Sequence, residues 1–434
     1  MLRFFVSLVL LLFLVAAEIS AAEIAPPNYD ESKVPEYILP DPLKMQDGRK
    51  VDSVKMWNEQ RRPELLKLFE EHVYGKPTLF RTGNKTFKTR FEYLSSKPVY
   101  DGQGVQHQFQ IVWYQGEDTH RVNVLVYVPK SDKKVPAFIG LNFRGNHTVN
   151  ADPDIRIAQR VWDYSRGSND GTYTPGKEED RGLQADRWPI KLFFDRGYAL
   201  VTAYYCDIEP DFNGGFRLGV RRFLYKEGER QAPDEANTIA TWAWGYSEIL
   251  DAVEHFQDKL GIDPTKTAVN GHSRLGKTAL WAGAIDPRFA MVISNDSGCG
   301  GAALFRREFG ETIHWANVRE PHRFCENFRK YSNNADSLPV DQHELIALSA
   351  PRPVYVASST EDLWADPRGE FLSVFHADPV YRLFGTDGIG GVTEIPQPDL
   401  SVGGIIRYHN RTGKHGINEV DWKNFCDLAD KYLK

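Results

Sequence analysis

No other stretch of this 434-residue chain limits its possible folds as much as a serine between a strand-like and a helix-like segment. Apolar residues predict a buried strand over 267–270, and apolar residues at helical spacing predict a helix over 274–284. Gly271-His-Ser-Arg-Leu-Gly276 joins them. Glycines near the serine allow the two backbones to approach closely. A sharp turn of this kind exposes the serine hydroxyl beside the positive end of the helix dipole.

A serine in such a turn is the nucleophile elbow of the α/β-hydrolase fold. The sequence departs from the usual G-x-S-x-G pattern, because Leu275 takes the place of the second glycine. A plain strand-to-helix connection is therefore the alternative. Arg274 and Lys277 favour the elbow, since cations in the first turn of a helix oppose its dipole. Their presence predicts an anionic ligand or one that develops charge.

The rest of the chain alternates between strand patterns and helix patterns, which favours a mostly parallel sheet joined by right-handed crossovers. We expect an α/β-hydrolase fold, a three-layer α/β/α sandwich with a mostly parallel central sheet. Residues 150–195 are polar and turn-rich, and they predict a surface insertion. The predicted strands are 109–113, 121–128, 135–143, 197–204, 267–270, 289–294, 353–357 and 404–408, and the predicted helices are 57–74, 236–256, 274–284, 367–375 and 420–433.

The N-terminus predicts export. A basic start at Arg3 precedes an apolar run over 4–17, and small residues follow at 20–22. This pattern is typical of a secretory signal peptide, and the run is shorter than the roughly 20 apolar residues of a membrane-spanning helix. An uncleaved anchor is the alternative.

The predicted organisation is a signal peptide over 1–22, an N-terminal extension packed on the core over 23–100, and an α/β-hydrolase catalytic domain over 101–434. We expect a secreted or periplasmic monomer with no membrane contact after cleavage.

Composition excludes several classes of protein. An apolar fraction of 41% and an aromatic fraction of 12% are too high for a disordered chain. The net charge of −6 and the pI near 6.1 argue against nucleic-acid binding. Four scattered cysteines, Cys206, Cys299, Cys325 and Cys426, allow three disulfide pairings or free thiols. No Cys/His spacing indicates a zinc site.

In this fold an acid and then a histidine follow the serine along the chain. His415, in a glycine-containing loop between the last predicted strand and helix, is the predicted base, and His409 at the strand end is the alternative. Two acids compete to orient the imidazole. Asp362 follows the strand 353–357 and is favoured, whereas Asp296 follows the preceding strand and can share the role.

An acyl-transfer site also needs donors for the oxyanion. The backbone N–H of Arg274, directly after the serine, is the first candidate. The loop 144–147 is placed for the second donor, and the Arg274 guanidinium can add a charge-assisted one.

Together these motifs resemble the glucuronoyl esterases of carbohydrate esterase family 15. The resemblance covers roughly residues 100–430, and the histidine before the serine is similar to the bacterial branch. It is found in Gly271-His-Ser-Arg-Leu-Gly-Lys277, Asn295-Asp-Ser-Gly-Cys-Gly-Gly-Ala-Ala303, Arg306-Arg-Glu-Phe-Gly-Glu-Thr312, Asp362-Leu-Trp-Ala-Asp-Pro367 and Gly413-Lys-His415.

The resemblance implies a serine esterase that cleaves the ester between 4-O-methyl-D-glucuronic acid of glucuronoxylan and lignin alcohols, through a glucuronoyl-enzyme. It implies that Ser273 is the nucleophile, His415 the base and Arg274 an oxyanion stabiliser. Residues expected to hold the glucuronate are Lys277, Glu311 and Trp364. Family members differ in which strand provides the acid, so Asp362 and Asp296 both stay candidates.

No metal or organic cofactor is implied. Two other functions remain open at this point. One is an acetyl- or feruloyl-type polysaccharide esterase that uses the same triad. The other is a carbohydrate-binding protein on an inactive hydrolase fold.

Overall fold

Ten strands of the described part of the chain form its central sheet. The computed structural model describes residues 26–76, 87–162, 171–225, 229 and 231–434, so the predicted signal peptide lies outside the described residues. The strands are β1 Lys88–Val99, β2 Gly104–Gln115, β3 Asp118–Pro129, β4 Val135–Asn142, β5 Ala199–Tyr204, β6 Ile262–His272, β7 Met291–Asn295, β8 Val354–Ser359, β9 Val402–Gly403 and β10 Ile406–Arg411.

The order across the sheet is β1-β2-β3-β5-β4-β6-β7-β8-β10-β9. Strands β5, β4, β6, β7, β8 and β10 run parallel, and antiparallel pairs flank them on both sides. In a parallel block all carboxyl ends lie along one edge, where α/β proteins place their ligands. The loops after β6, β7, β8 and β10 therefore meet at this edge.

Helices cover both faces of the sheet, which accounts for the continuous burial of β4, β5, β7 and β8. Neighbouring residues of a strand enter different cores: Phe138 packs in one cluster and Ile139 in the other. The predicted three-layer sandwich is confirmed. The α-helices of six or more described residues are α1 Arg62–Phe69, α2 Ile190–Asp195, α3 Thr238–His255, α4 Arg274–Ile285, α5 Ile313–Arg319, α6 Gln342–Ala347, α7 Pro367–Leu383 and α8 Glu419–Tyr432.

The N-terminal part contributes to the sheet itself. Residues 88–99 were expected within the extension, and they form β1, which pairs with β2 from end to end apart from a register shift between Tyr93 and Ser95. The predicted helical stretch 57–74 is confirmed as consecutive helical segments ending in Glu70–Tyr74. At its end the Tyr74 hydroxyl donates to the carbonyl of Gly300, 3.0 Å away, in the loop after β7.

The region 150–195 is only partly a surface insertion. Its last residues form α2, and Ile190 and Phe193 are buried against the sheet. Earlier in the region Val161–Trp162 pairs with Tyr173–Thr174 in a small ribbon.

All four cysteines lie among the described residues as buried free thiols. Within the described ranges no helix is both long enough and apolar enough to cross a bilayer.

Candidate active site

Ser273 occupies a strained turn between β6 and α4. Its backbone angles are φ 58° and ψ −131°, a conformation that L-residues rarely adopt. A Cβ at Gly271 would lie 1.9 Å from the Leu275 carbonyl oxygen, so glycine is required there. The Ser273 N–H donates to the Asn295 carbonyl at 2.8 Å, which ties the turn to the end of β7. The expected sharp turn is therefore present, and it faces the carboxyl edge of the sheet.

His415 and Asp362 meet beside this turn. His415 lies in the loop after β10, and its Nδ1 is 2.5 Å from Oδ2 of Asp362 in the loop after β8. An ionised carboxylate only accepts hydrogen bonds, so Nδ1 holds the hydrogen and Nε2 keeps its lone pair. The His415 side chain is 42% exposed, and it lines the same cavity as Ser273. The pair leaves one imidazole nitrogen available to accept a proton.

Asp296 lies close to the same imidazole but makes different contacts. Its Oδ2 is 4.0 Å from His415 Nδ1, beyond hydrogen-bond distance. That oxygen accepts instead from the Gly416 N–H at 3.0 Å and from the Ser359 hydroxyl at 2.9 Å. Burial raises the pKa of Asp296 well above its ordinary value, and the neighbouring Glu370 and Asp362 carboxyls add to the effect. Asp296 thus contacts the loop around His415 more closely than its ring.

Arg411 holds the His415 loop in place. Its Nη2 donates to the carbonyls of Lys414 and Gly416, both at 3.0 Å, and to the Ser359 hydroxyl at 2.7 Å. Its Nε donates to Asp421 at 3.0 Å. This residue was not among the predicted site residues.

His409, the alternative base, lies within β10 and is fully buried. Its Nδ1 is 2.9 Å from the Tyr355 hydroxyl, and its Nε2 is 2.9 Å from Oδ1 of Asp421. Ser273 and His415 line the cavity together, whereas His409 is absent from its described lining.

The Arg274 guanidinium is held by a buried carboxylate. It donates to Asp211 at 2.9 Å and to the Tyr205 hydroxyl at 3.2 Å. Asp211 also accepts from Arg323 at 2.8 Å, and its other oxygen is 2.8 Å from Nε2 of His322. Burial alone would raise the pKa of Asp211, but Arg323 and Arg274 outweigh it and hold the pKa well below its ordinary value. The sequence analysis missed Asp211, although an acid soon after a predicted strand was a usable signal.

Lys277, Glu311 and Trp364 come together as the resemblance implied. The Lys277 Nζ donates to Glu311 at 2.5 Å, and these side chains are only 5% and 8% exposed. The Glu311 N–H donates to the Trp364 carbonyl at 2.8 Å. The Arg319 guanidinium lies 5.3 Å from the centroid of the Trp364 ring. Lys277, like Arg274, has a carboxylate partner within the protein, so these cations do not by themselves require an external anion.

Glu370 of α7 supports the loop after β7. Its carboxylate accepts from the Ser297 N–H at 2.7 Å, the Ser297 hydroxyl at 2.8 Å, the Gly298 N–H at 2.9 Å and the Ser358 hydroxyl at 2.6 Å. Burial raises the pKa of Glu370 to about 7. No local pattern in the predicted helix 367–375 marked this residue.

The site residues surround a cavity of about 350 Å³. It collects all eight predicted site residues, and further arginines and an acid enlarge its polar surface. The lining consists of Ser273, Arg274, Lys277, Asp296, Ser297, Gly298, Glu311, Arg319, Glu320, Arg323, Asp362, Trp364, Ala365 and His415.

A possible metal-binding group overlaps this site. Ligand atoms of His272, Asp296 and His415 lie within 4.8 Å of one another. Nδ1 of His272 is already hydrogen-bonded to Asn295, and Nδ1 of His415 to Asp362. One nitrogen of each imidazole is thus engaged within the protein, and Oδ2 of Asp296 already accepts from Gly416 and Ser359.

A serine on a strained strand-to-helix turn, beside a histidine and carboxylate at the carboxyl edge of the sheet, defines a hydrolase of the α/β-hydrolase class. The family model described as "Glucuronyl esterase, fungi" matches residues 224–385. Carbohydrate esterase MZ0003, from an unknown prokaryotic organism, is 44% identical over 409 residues, which cover 94% of this chain and 92% of that relative. The chain belongs to the glucuronoyl esterases of carbohydrate esterase family 15 and is a carboxylic ester hydrolase.

Solved structures agree with this assignment. A promiscuous esterase of the same family, from a marine bacterial metagenome, is 43% identical with a TM-score of 0.84, covering 94% of this chain and 100% of that one. The glucuronoyl esterase from Solibacter usitatus is 39% identical with a TM-score of 0.86, covering 93% and 100%. The 4-O-methyl-glucuronoyl methylesterase 1 of Wolfiporia cocos matches more partially, at 37% identity over 56% of this chain and 65% of that relative.

Proposed function

We propose that this esterase hydrolyses the ester between 4-O-methyl-D-glucuronic acid of glucuronoxylan and the alcohols of lignin. The main support for this substrate is the set of side chains that line one cavity. Ser273 and the His415–Asp362 pair line the same cavity as the buried Lys277–Glu311 pair. The fungal relatives are named as 4-O-methyl-glucuronoyl methylesterases, which fits a uronate ester as substrate.

In the proposed reaction His415 Nε2 takes the proton of Ser273, and Oγ attacks the C6 carbonyl carbon of the uronate ester. The resulting oxyanion accepts from the Arg274 N–H and from the 144–147 loop, with the Arg274 guanidinium beside it. The carbon–oxygen bond to the alcohol then breaks, and the alkoxide receives the proton held by His415. Water, deprotonated by His415, hydrolyses the glucuronoyl-enzyme and releases glucuronate.

Asp362 is proposed as the principal acid of the triad. Its 2.5 Å contact fixes the imidazole tautomer and stabilises the imidazolium that forms during attack. Asp296, at 4.0 Å from the same nitrogen, is proposed to position the loop through its contact with Gly416.

The sugar is proposed to lie against Lys277, Glu311 and Trp364. Glu311 supplies acceptors for sugar hydroxyls, Lys277 supplies donors, and the Trp364 ring packs on the pyranose face. Because Lys277 and Glu311 neutralise each other, this wall can bind a neutral ester without a net charge opposing it.

Export is proposed from the N-terminal pattern, with removal of residues 1–22, and the mature enzyme is proposed to act as a monomer. An acetyl- or feruloyl-type esterase has no use for the Lys277–Glu311 pair, so this pair favours the uronate ester.

The test is hydrolysis of benzyl glucuronate and of p-nitrophenyl acetate by the purified enzyme and by Ser273→Ala. We expect strong cleavage of the uronate ester, weak cleavage of the acetate, and a loss of at least about 10⁴-fold in the variant. Preference for the acetate would overturn the proposed substrate. Uronate-ester cleavage that survives Ser273→Ala would overturn the proposed nucleophile.

A further inference from the structure

A cavity of about 900 Å³ lies beside β5, separate from the cavity of the catalytic serine. Cys206, Asp207 and Pro210, which follow the carboxyl end of β5, form part of its wall. None of its described lining residues also lines the cavity of Ser273. Small-molecule sites have volumes of roughly 300–1,000 Å³. This cavity is therefore large enough to hold a ligand of its own.

The charged lining of this cavity, here named the arginine cavity, is almost entirely basic. Its guanidinium groups belong to Arg121, Arg156, Arg160, Arg217 and Arg222, and Asp207 is its one described carboxyl. The chain as a whole has a net charge of −6, so this cluster has the opposite sign to the protein. Cations around one cavity repel each other, and they create a positive potential that attracts anions.

His120 fixes the guanidinium of Arg222 in the wall. Burial lowers the pKa of His120 to about 4, so the imidazole is neutral, and its Nδ1 accepts from Arg222 Nη1 at 2.6 Å. Its Nε2 donates to the Asp207 carbonyl at 2.6 Å, and its ring stacks on Trp113. Arg222 also donates to Asp118 at 2.9 Å. This arginine is therefore held in position before any ligand binds.

Three of the other arginines lack such partners. The guanidinium groups of Arg156, Arg160 and Arg217 make no hydrogen bond and no ion pair with any residue that the structure describes. In the active site, by contrast, Arg274 and Lys277 each have a carboxylate partner within the protein. The charge of the three unpartnered arginines is therefore available to an external anion.

The carboxyls near these cations leave the cavity basic. Burial raises the pKa of Asp207 from 3.8 to about 7, and hydrogen bonds from Asn123 offset this only in part. Below that pH most of the Asp207 carboxyl is protonated and neutral. Glu92 accepts from Arg121 at 2.9 Å, but it is not among the described lining residues. An anion that enters the cavity therefore meets a net positive wall.

Uncharged polar side chains complete the wall. They are Gln110, Thr119, Asn123 and Gln159. Amides and hydroxyls both donate to and accept from the hydroxyl groups of a ligand. Gln110 Nε2 donates to Asn123 Oδ1 at 2.8 Å, which fixes this part of the wall. Because guanidinium groups bind oxyanions through parallel hydrogen bonds, the lining suits a ligand that combines acidic groups with many hydroxyls.

We propose that the arginine cavity is a second binding site, which takes an acidic glycan, a sugar chain with carboxylate or sulfate groups. The unpartnered guanidinium groups bind the acidic groups, and the amide and hydroxyl side chains bind the sugar hydroxyls. This inference goes beyond the proposed function, because it requires no ester and no reaction at Ser273.

The test measures binding to the wild-type enzyme by calorimetry. The probes are trigalacturonate, which has only carboxylates, a sulfated carrageenan tetrasaccharide, which has only sulfates, and neutral maltotriose. We expect at least one acidic glycan to bind about tenfold or more tighter than maltotriose, because its acidic groups form charge-assisted hydrogen bonds. The tighter of the two identifies the acidic group. No preference for either acidic glycan over maltotriose would overturn the inference.

A pair of double variants locates the binding. Arg156→Gln/Arg160→Gln should weaken binding of the acidic glycan by about tenfold or more, because two unpartnered guanidinium groups are lost. The matched control is Arg368→Gln/Arg382→Gln, which removes two exposed cations of α7 outside the cavity and changes the net charge equally. It should change the affinity by less than about twofold. Equal losses in the two double variants would show general charge attraction and would overturn the site.

Hydrolysis of methyl glucuronate separates this site from the active site. We expect Arg156→Gln/Arg160→Gln to retain the wild-type kcat/KM within about twofold, since neither arginine lines the cavity of Ser273. Competitive inhibition by the acidic glycan that persists in this variant would place the glycan in the active site and overturn the inference. Sodium sulfate that binds as tightly as the glycan would overturn the glycan class. An enzyme that cleaves no uronate ester contradicts only the proposed function, because the binding measurement needs no turnover.

Discussion

Two histidines six positions apart, His409 and His415, each contact an aspartate. The two pairs differ in their exposure and in what surrounds them. His415 and Asp362 are 2.5 Å apart, and the histidine side chain is 42% exposed. His409 and Asp421 are 2.9 Å apart, and both side chains are fully buried. The first pair borders the cavity with Ser273, whereas the second joins β10 to α8. A short contact between imidazole and carboxylate therefore does not by itself identify a catalytic base. In the proposed function, access to the cavity that Ser273 lines is what distinguishes His415 from His409.

Substituting each histidine by alanine is the most direct test of the difference between the two pairs. His415→Ala should lower kcat/KM by about 10⁴-fold, because it removes the proton acceptor, with little change in the free energy of unfolding. His409→Ala should instead lower the free energy of unfolding by about 2–4 kcal/mol, because the buried Asp421 loses a partner. Urea denaturation and initial-rate kinetics on benzyl glucuronate measure both effects. Equal losses of activity at constant stability would show that the pairs are equivalent.

Substituting the two acids beside His415 tests which of them acts on the imidazole, with a smaller expected loss of activity. Asp362→Asn should lower kcat by about 10³-fold, because an amide cannot stabilise the imidazolium and favours the wrong tautomer. Asp296→Asn should cost less than about tenfold, because the side chain can still accept from Gly416. The matched substitutions change no volume, and kcat at saturating ester distinguishes them. A larger loss of kcat in Asp296→Asn than in Asp362→Asn would show that Asp296, directly after β7, is the principal acid.

A third carboxylate, Glu370, should affect stability and its pH dependence. Burial raises the pKa of Glu370 from the ordinary 4.5 to about 7 in the folded protein. The folded state then binds more protons than the unfolded state between those values, so stability falls as the pH rises through this window. The full change is about 3 kcal/mol.

Glu370→Gln removes this titration while keeping acceptors for Ser297 and Gly298. The difference in unfolding free energy between wild type and variant should therefore shift in favour of the variant as the pH rises from 5 to 8. Urea denaturation at several pH values measures this difference. A difference that stays constant would show that Glu370 does not titrate in this range.

Sequence reasoning succeeded where the determining interactions are local or follow from strand order. The elbow is predictable because Gly271 and Leu275 are close along the chain and their steric conflict requires glycine. His415 and Asp362 are 53 positions apart, yet β8 and β10 are neighbours, so the loops after them must meet.

Sequence reasoning failed where the partner of a residue is brought in by tertiary packing or where the pattern of an element is interrupted. Asp211 contacts Arg274 across 63 positions, and Glu370 contacts Ser297 across 73. The position of Asp211 after a predicted strand marked it only as an acid near the sheet edge, and no local pattern marked Glu370. β1 was missed although its first half alternates, with Phe91 and Tyr93 packed on the core and Arg90 and Glu92 between them. It is an edge strand that is buried only in part, and a register shift between Tyr93 and Ser95 ends the alternation, so its second half has no apolar pattern.

The contacts of Arg411 have a consequence for the rigidity of the His415 loop. The guanidinium donates to the main-chain carbonyls of Lys414 and Gly416 and to the Ser359 hydroxyl, which in turn donates to Asp296. These contacts act on the backbone of the loop, whereas Asp362 contacts the imidazole ring itself. The loop is therefore braced separately from the ring, so a substitution of Asp362 changes the hydrogen bond of the imidazole and leaves the main-chain contacts of the loop intact.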